Sequence, residues 1–461
     1  MEMIQIPKAE YEALKSLVIA LTEKIKELEA KLNKNSKNSN NPPSSDGPKK
    51  GAVKNSRVKS NKPSGGQPGH KGTTKALTPN PDTIVELKPI TECDKCGGDV
   101  IVQDENFTIR QVTDIIPATV MTVEYRAHDG KCGICGKEHK ASFPNGIEGT
   151  VSYGDNIQAM VTYLTTYQLL PLKRTTELLE DLFGIKISQG TIVRNNQEAY
   201  EALADTEARI KEEIIQSDIA HFDESGMRVE GSNHWLHSAS TETCTVYSIH
   251  PKRGKEAMDE MGILPRFEGT AIHDHWKSYY HYEQCAHAEC NEHHLRTLKY
   301  LHENLGQDWA GEMICLLLRI KRHVDLTRLF GIDADSLPLE DINIYEELYR
   351  DILANAQTQT QTSIPIESER MINRMIKYEQ ETLLFMYDLE VPFTNNLAER
   401  DIRMPKAKQK ISGGFRSKEG ANSFARIRSF VSTAKKRGKN IFNGLVAVFS
   451  GNPSNFLFSD G

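Results

Sequence analysis

No apolar run in the 461-residue sequence approaches the ~18–20 residues that a membrane-spanning helix needs, and the mean hydropathy is −0.52. Helical membrane spans are therefore not expected. The opening residues, MEMIQIPKAEYEALK, hold no apolar leader core and no small-residue cleavage site, so a secreted product is not expected either. Cysteine is sparse, and four of the eight residues form two Cys-x-x-Cys pairs. In a reducing compartment that spacing reads as metal ligation and not as a disulfide framework.

Acidic side chains are nearly missing from two stretches. Residues 33–75 carry ten Lys/Arg against Asp46 alone, and residues 400–439 carry thirteen against Asp401 and Glu419. The formal net charge of the whole chain is nevertheless −6, so the remaining residues are strongly acidic. Two basic blocks on an acidic protein are two places to meet a polyanion, and nucleic acid is the expected one.

Apolar residues at a 3.5-residue period mark residues 1–33 as a coiled-coil helix. Tyr11, Val18, Ile25 and Leu32 fall at a, and Leu14, Leu21 and Leu28 at d. Residues 34–78 hold Asn, Ser, Pro, Gly and Lys with almost nothing to bury, which predicts a flexible basic linker able to bind phosphates without folding. In 79–150, Cys93-x-x-Cys96 and Cys132-x-x-Cys135 are each followed by Gly (Gly97, Gly136). Four thiolates so spaced can surround Zn²⁺ tetrahedrally, with glycine allowing the tight turn. The alternating residues between the pairs predict hairpin strands, and the whole a structural zinc ribbon with no open coordination position.

Residues 151–212 read as a helical, helix-turn-helix-like DNA-binding region. One helix runs over 175–183, Gly184 turns the chain, and a second helix opens at Ser188, with Gln189, Thr191, Arg194 and Asn195 as its expected exposed face. From Ser217 the pattern changes to short strands. The first carries Asp223 at the close of its apolar run, two more follow at 234–241 and 244–251, and after a helix a fourth carries Asp274 at its end. That order is expected of an RNase H-like core. Aspartates on neighbouring strand ends supply the hard oxygen ligands of Mg²⁺, two ions of which can assist phosphoryl transfer. The third ligand is Glu399, early in a helix that Asn395 is expected to cap, with Arg400 and Arg403 exposed beside it. The 124 residues between Asp274 and Glu399 predict a helical insertion at about 305–388 in a core spanning 213–440, with 441–461 as a C-terminal tail. His273 and His275 are expected to face away from Asp274. The cluster Cys285, His287, Cys290, His293 and His294 offers a weaker second zinc site, and Cys244 and Cys315 are expected as buried thiols. Phe424, Ile427 and Phe430 read as a core-packing stripe, with Lys435, Lys436 and Arg437 beyond it as phosphate contacts.

The run NSKNSNNPPSSD, then GGQPGHKG, the Cys-x-x-Cys pairs, HFDES, HDHW and NNLAER occur in this order. Together they resemble the DDE transposases of the insertion-sequence-66 family over essentially the whole chain. The resemblance implies a multidomain α/β protein that binds double-stranded DNA at element ends and hydrolyses it. The freed 3′-OH then joins to target DNA. It also implies catalytic and Mg²⁺-binding roles for Asp223, Asp274 and Glu399, with Mn²⁺ able to substitute. The family's first motif usually reads Asp-Glu-Thr; here it is Asp223-Glu224-Ser225. Homo-oligomers formed through the coiled coil, small accessory proteins of the same element, and a cytoplasmic, nucleoid-associated bacterial location are expected with it. Alternatives are a catalytically silent copy that binds ends and represses, and an RNase H-fold nuclease that cuts without joining.

Overall fold

The computed structural model describes residues 7–32, 76–101, 108–114, 120–144, 151–330, 334–359 and 365–459. The basic linker lies outside them except for its last three residues. The chain divides into two compact units, Ala52–Val123 and a larger one made of Met1–Gly51 with Glu124–Gly461. The described part of the smaller unit has no helix or ladder strand. It holds the first Cys-x-x-Cys turn, and the Gln111 side chain pairs with the backbone of Thr78 through bonds of 2.7 and 2.8 Å.

In the larger unit, helix α1 (Lys8–Leu32) carries the heptad residues on its surface. Tyr11, Leu14, Val18, Leu21, Ile25 and Leu28 are each half-exposed or more. Strands β1 (Asp129–Lys131) and β2 (Glu138–Lys140) pair antiparallel around the second Cys-x-x-Cys turn. The described residues between the two cysteine turns, 108–114 and 120–128, form no strand, contrary to the hairpin expected there. Their apolar residues, Val112 and Met121 among them, are exposed. Alternation alone makes no strand without a paired neighbour and a buried face.

Helix α2 (Asp155–Thr162) passes through a π-turn into α3 (Leu172–Phe183), which Gly184 ends at φ +67. Helix α4 (Gln189–Ala202) then starts at Ser188, whose hydroxyl accepts the Thr191 N–H at 3.0 Å. Helix α5 (Ala204–Ile215) leads into the sheet. Its strands are β3 (Ile219–Val229), β4 (Ser232–Ser240), β5 (Thr245–His250), β6 (Thr270–His273) and β7 (Ala286–Glu289), with α6 (Lys255–Met261) between β5 and β6. Spatial order is β5-β4-β3-β6-β7. The first three strands are antiparallel, and β6 and β7 run parallel to β3. Glu230 and Gly231, at φ 52 and 73, make the two-residue turn that closes the β3–β4 hairpin with the twist such a turn requires.

After β7 the chain is helical: α7 (Asn291–Leu305), α8 (Asp308–Leu329), α9 (Leu339–Gln359), α10 (Ile366–Lys377) and α11 (Glu379–Tyr387). These helices pack Leu317, Ile320, Tyr349 and Phe385 against Ile272 and Ala288 of the sheet. Cys315, expected as a buried thiol, lies on the exposed side of α8. Helices α12 (Asn396–Ser412), α13 (Lys418–Lys436), α14 (Ile441–Phe449) and α15 (Pro453–Phe458) complete the chain.

A second core joins Ala220, Phe222, Val246 and Ala271 to Ala199 of α4, to Leu203 between α4 and α5, to Ile210 and Ile214 of α5 and to Ile427 and Phe430 of α13. Burying an Ile or Phe side chain contributes about 1.5–3 kcal/mol, so α5, expected with the DNA-binding region, shares its core with the sheet, whereas Leu179, Ile187 and Ile192 pack with Val161 and Leu164 in a separate cluster. The tail expected at 441–461 is a correction of the same kind: Leu445, Val448 and Leu457 of α14 and α15 are buried in this core.

Candidate active site

The β3–β6 ladder pairs Ile219, Ala220 and His221 with Thr270, Ala271 and Ile272. Carried two residues further, that register sets Asp223 beside Asp274. Asp223 does not end its strand, as the sequence suggested; β3 continues to Val229 against β4. What ends near Asp223 is the parallel pairing, because β6 stops at His273. Asp223 Oδ1 accepts the Glu224 N–H at 2.8 Å, and Asp274 Oδ1 accepts the Trp276 N–H at 2.9 Å.

Glu399 enters on the first turn of α12. Asn395 stands at the N-cap position of that helix, yet its side chain caps nothing there. Its Nδ2 donates to Phe222 O at 2.7 Å, its Oδ1 meets His221 Nδ1 at 2.8 Å, and its N–H donates to Cys290 Sγ at 3.1 Å. Asn395 thereby ties the start of α12 to β3, beside Asp223, and to the residue that follows β7. The helix also contains Pro405, which has no N–H for the Asp401 carbonyl. Tyr247 Oη donates to that carbonyl at 2.9 Å and satisfies it.

The Asp223 carboxyl senses the other two. Burial, then the charges of Glu224, Asp274 and Glu399, hold the Asp223 carboxyl well above its ordinary value, with Lys406 opposing. Glu399 Oε1 is buried and has no hydrogen-bond partner. Asp223, Asp274 and Glu399 offer carboxylate oxygens alone, a donor type that suits a hard divalent cation. The fit is not a tight trio in itself. Among the described residues, the one group of three metal-ligating side chains whose donor atoms all lie within 4.8 Å of one another is Cys290, His293 and Glu399.

Arg253 escaped the sequence reading. Its guanidinium lies 2.6 Å from Glu224 and 3.7 Å from Asp274, and sits over the Trp276 ring at 3.9 Å. Tyr279 Oη donates to the other Glu224 oxygen at 2.6 Å. Burial and the Asp274 charge push the Glu224 carboxyl up to about 7, and Arg253 counters them. No motif flags an arginine between strand and helix, so only the fold reveals it. His273 is buried, stacked on Tyr279 and bonded at 2.9 Å to His287. His294 pairs with Glu289 at 2.6 Å. The histidine-rich segment therefore serves several different contacts.

The expected DNA-contacting residues separate by exposure. Gln189, Arg194, Arg400, Arg403 and Lys435 are exposed, and Thr191 is half-buried, with its hydroxyl 2.9 Å from Ser188 Oγ. Asn195 faces inward, against expectation, donating to Gln158 O and Thr162 Oγ1 at 3.0 and 2.9 Å. Its face of α4 is the one that packs on α2. Lys436 and Arg437 also turn inward. Lys436 Nζ binds Asp401 at 2.7 Å together with two backbone carbonyls, and Arg437 pairs with Glu213. A cation surrounded by its own acceptors has little left to offer a phosphate.

The cysteine turns fall in separate units, each described by itself: Cys93 and Cys96 in Ala52–Val123, Cys132 and Cys135 in the larger unit. Their construction is the same. Cys93 N–H donates to Gly98 O at 2.8 Å and Gly97 N–H to Cys93 O at 2.9 Å. Cys132 N–H donates to Lys137 O and Gly136 N–H to Cys132 O at the same two lengths. Both glycines have positive φ, +68 and +74. Backbone N–H groups of the turn lower the Cys93 and Cys132 thiols below their ordinary value.

These features define a mixed α/β protein with an acidic cluster where a parallel strand pair ends, overlaid by a cation-rich helix. Comparison with known families identifies it further. The profile of the Transposase IS66 family matches residues 150–423, and that of a family of unknown function (DUF6444) matches residues 2–76. The chain belongs to the IS66 transposase family, and a DNA transposase role in general follows. No curated protein matches it. Among the described residues no helix is long and apolar enough to cross a membrane.

Proposed function

We propose that the chain is a DDE-type transposase that binds the ends of its insertion sequence, hydrolyses a phosphodiester there and joins the 3′-OH to target DNA. What supports this is that the β3–β6 ladder, paired as far as His221 and Ile272, runs toward Asp223 and Asp274, with Asp274 and Glu399 within electrostatic reach of Asp223. Strand order β5-β4-β3-β6-β7, antiparallel then parallel, supports an RNase H-like core. Two Mg²⁺ ions, or Mn²⁺ in their place, held by the three carboxylates would supply an activated nucleophile and charge stabilisation at the leaving oxygen. The protein's part is positional. Asn395 holds Glu399 against β3, Arg253 bridges Glu224 and Asp274, and Arg400, Arg403 and Lys435 meet the DNA backbone. Gln189, Thr191 and Arg194 would face the element ends.

Each of the two cysteine turns is proposed to supply thiolate ligands to structural Zn²⁺; the matching turn geometry and all-sulfur donors support it. The exposed heptad face of α1 supports self-association, which synapsis of two ends requires.

The test uses purified full-length chain, Mg²⁺ and duplexes ending in the element's own termini. A transposase nicks at the terminus and joins the 3′ end to a supercoiled plasmid. Cleavage without joining would mean a nuclease, and a gel shift without cleavage a silent copy. Replacing the ten Lys/Arg of residues 33–75 with Gln is expected to weaken binding to every sequence. The slope of log affinity against log salt should flatten by roughly 0.9 for each phosphate that is no longer neutralised. An unchanged slope would remove the linker from the interface.

A further inference from the structure

Cys290 stands at the junction of β7 and α7, where its N–H continues the sheet by donating to His273 O at 2.9 Å. One turn on, His293 N–H donates to Cys290 O at 3.1 Å, which fixes the two side chains on one side of the helix start. Asn395 then brings α12 onto the same spot through its bond to Cys290 Sγ. Two segments far apart in sequence so deliver a thiol and an imidazole, from one, and the Glu399 carboxylate, from the other, within 4.8 Å of one another. Two atoms here are unexplained by the protein alone. His293 Nδ1 and Glu399 Oε1 are both buried and both lack a hydrogen-bond partner. A buried polar atom left unpaired costs about 1–3 kcal/mol, so two beside one thiol point to a missing common partner.

We propose that Cys290, His293 and Glu399 form a zinc site at the base of α12. Sulfur, nitrogen and carboxylate oxygen together suit Zn²⁺ and not Mg²⁺, which takes oxygen ligands. Zinc bonds of about 2.0–2.3 Å put tetrahedral ligands about 3.3–3.8 Å apart, so the side chains need close by only about an ångström. One Glu399 oxygen is then spent on zinc, and the other is left for the side of Asp223. The zinc would lock the carboxylate's rotamer and the helix start at once, with a fourth position open to water. This inference does not depend on the transposition chemistry. It concerns what Cys290 and His293 hold, whereas cleavage tests Asp223 and Asp274.

The test is zinc stoichiometry of the full-length chain by plasma mass spectrometry after exhaustive dialysis, comparing wild type with Cys290→Ser and His293→Asn. Each variant is expected to hold one zinc fewer per chain than wild type, whatever the cysteine turns contribute. Equal counts in variants whose circular dichroism and melting match wild type would overturn the proposal. A second measurement needs no variant. The zinc K-edge spectrum of the wild-type chain should contain nitrogen and oxygen neighbours beside sulfur, and a sulfur-only shell would sink the site even if both variants misfold.

Discussion

Asp223→Asn is expected to lower cleavage of element ends by at least ~10³-fold, the scale on which removing a directly participating group acts, while making the metal-free protein more stable. The two effects have one cause. Burial and the neighbouring charges of Glu224, Asp274 and Glu399 raise the Asp223 carboxyl well above its ordinary value of 3.8. A raised folded-state value means that the folded protein prefers the proton. The associated stability is present below the unfolded value and is lost as pH rises through the folded one. Above the unfolded value, folding therefore costs either uptake of a proton or burial of a charge at Asp223, and the neutral amide removes that cost. Thermal melting in chelator should show Asp223→Asn above wild type. Adding Mg²⁺ should raise wild type and move the variant less. A variant that melts lower in chelator and gains as much from Mg²⁺ would contradict the carboxylate cluster.

Asp401→Ala is expected to cost the larger unit ~3–5 kcal/mol, the range found when one partner of a buried ion pair is removed. Asp401 Oδ2 receives three donors: Ser240 Oγ at 2.7 Å, Thr245 Oγ1 at 3.0 Å and Lys436 Nζ at 2.7 Å. The Asp401 and Lys436 side chains are only 16% and 13% exposed, so water replaces little of what the alanine removes. This node binds α12 to β4, β5 and α13 two residues after Glu399, and its loss should loosen the helix that carries the third carboxylate. Changing Lys436→Met in the same chain should recover part of the loss, since no charge is then stranded. Urea midpoints of wild type, single and double variants measure this. A single-variant loss under ~1 kcal/mol would show that the node is an ordinary surface pair.

Much of the core was legible because local pattern and tertiary role coincide there. Apolar runs carrying Asp223 and Asp274 produce neighbouring strands, and the Phe424, Ile427 and Phe430 stripe is buried as its spacing implied. What stayed hidden depends on which segments meet. Asn395 looked like a cap and is a clamp between β3, β7 and α12. Asn195, Lys436 and Arg437 are polar enough to be mistaken for surface residues, yet each finds partners inside the fold. The strand alternation between the cysteine turns was misleading for the opposite reason, since its pattern has no described neighbour to pair with. Arg253 has no neighbourhood motif at all; its role comes from meeting both Glu224 of β3 and Asp274 beyond β6.

That Asp223, Asp274 and Glu399 perform one reaction together is the proposal on which the rest depends. It is tested most directly by excision of the native element in bacterial cells, with its own ends and any neighbouring accessory genes supplied. Wild type is compared with Asp223→Asn, Asp274→Asn and Glu399→Gln at matched protein levels. Excision is expected from wild type, with none above background in any of the three variants. Excision that survives one of these substitutions would contradict the proposal and show that the remaining carboxylates do not need that partner.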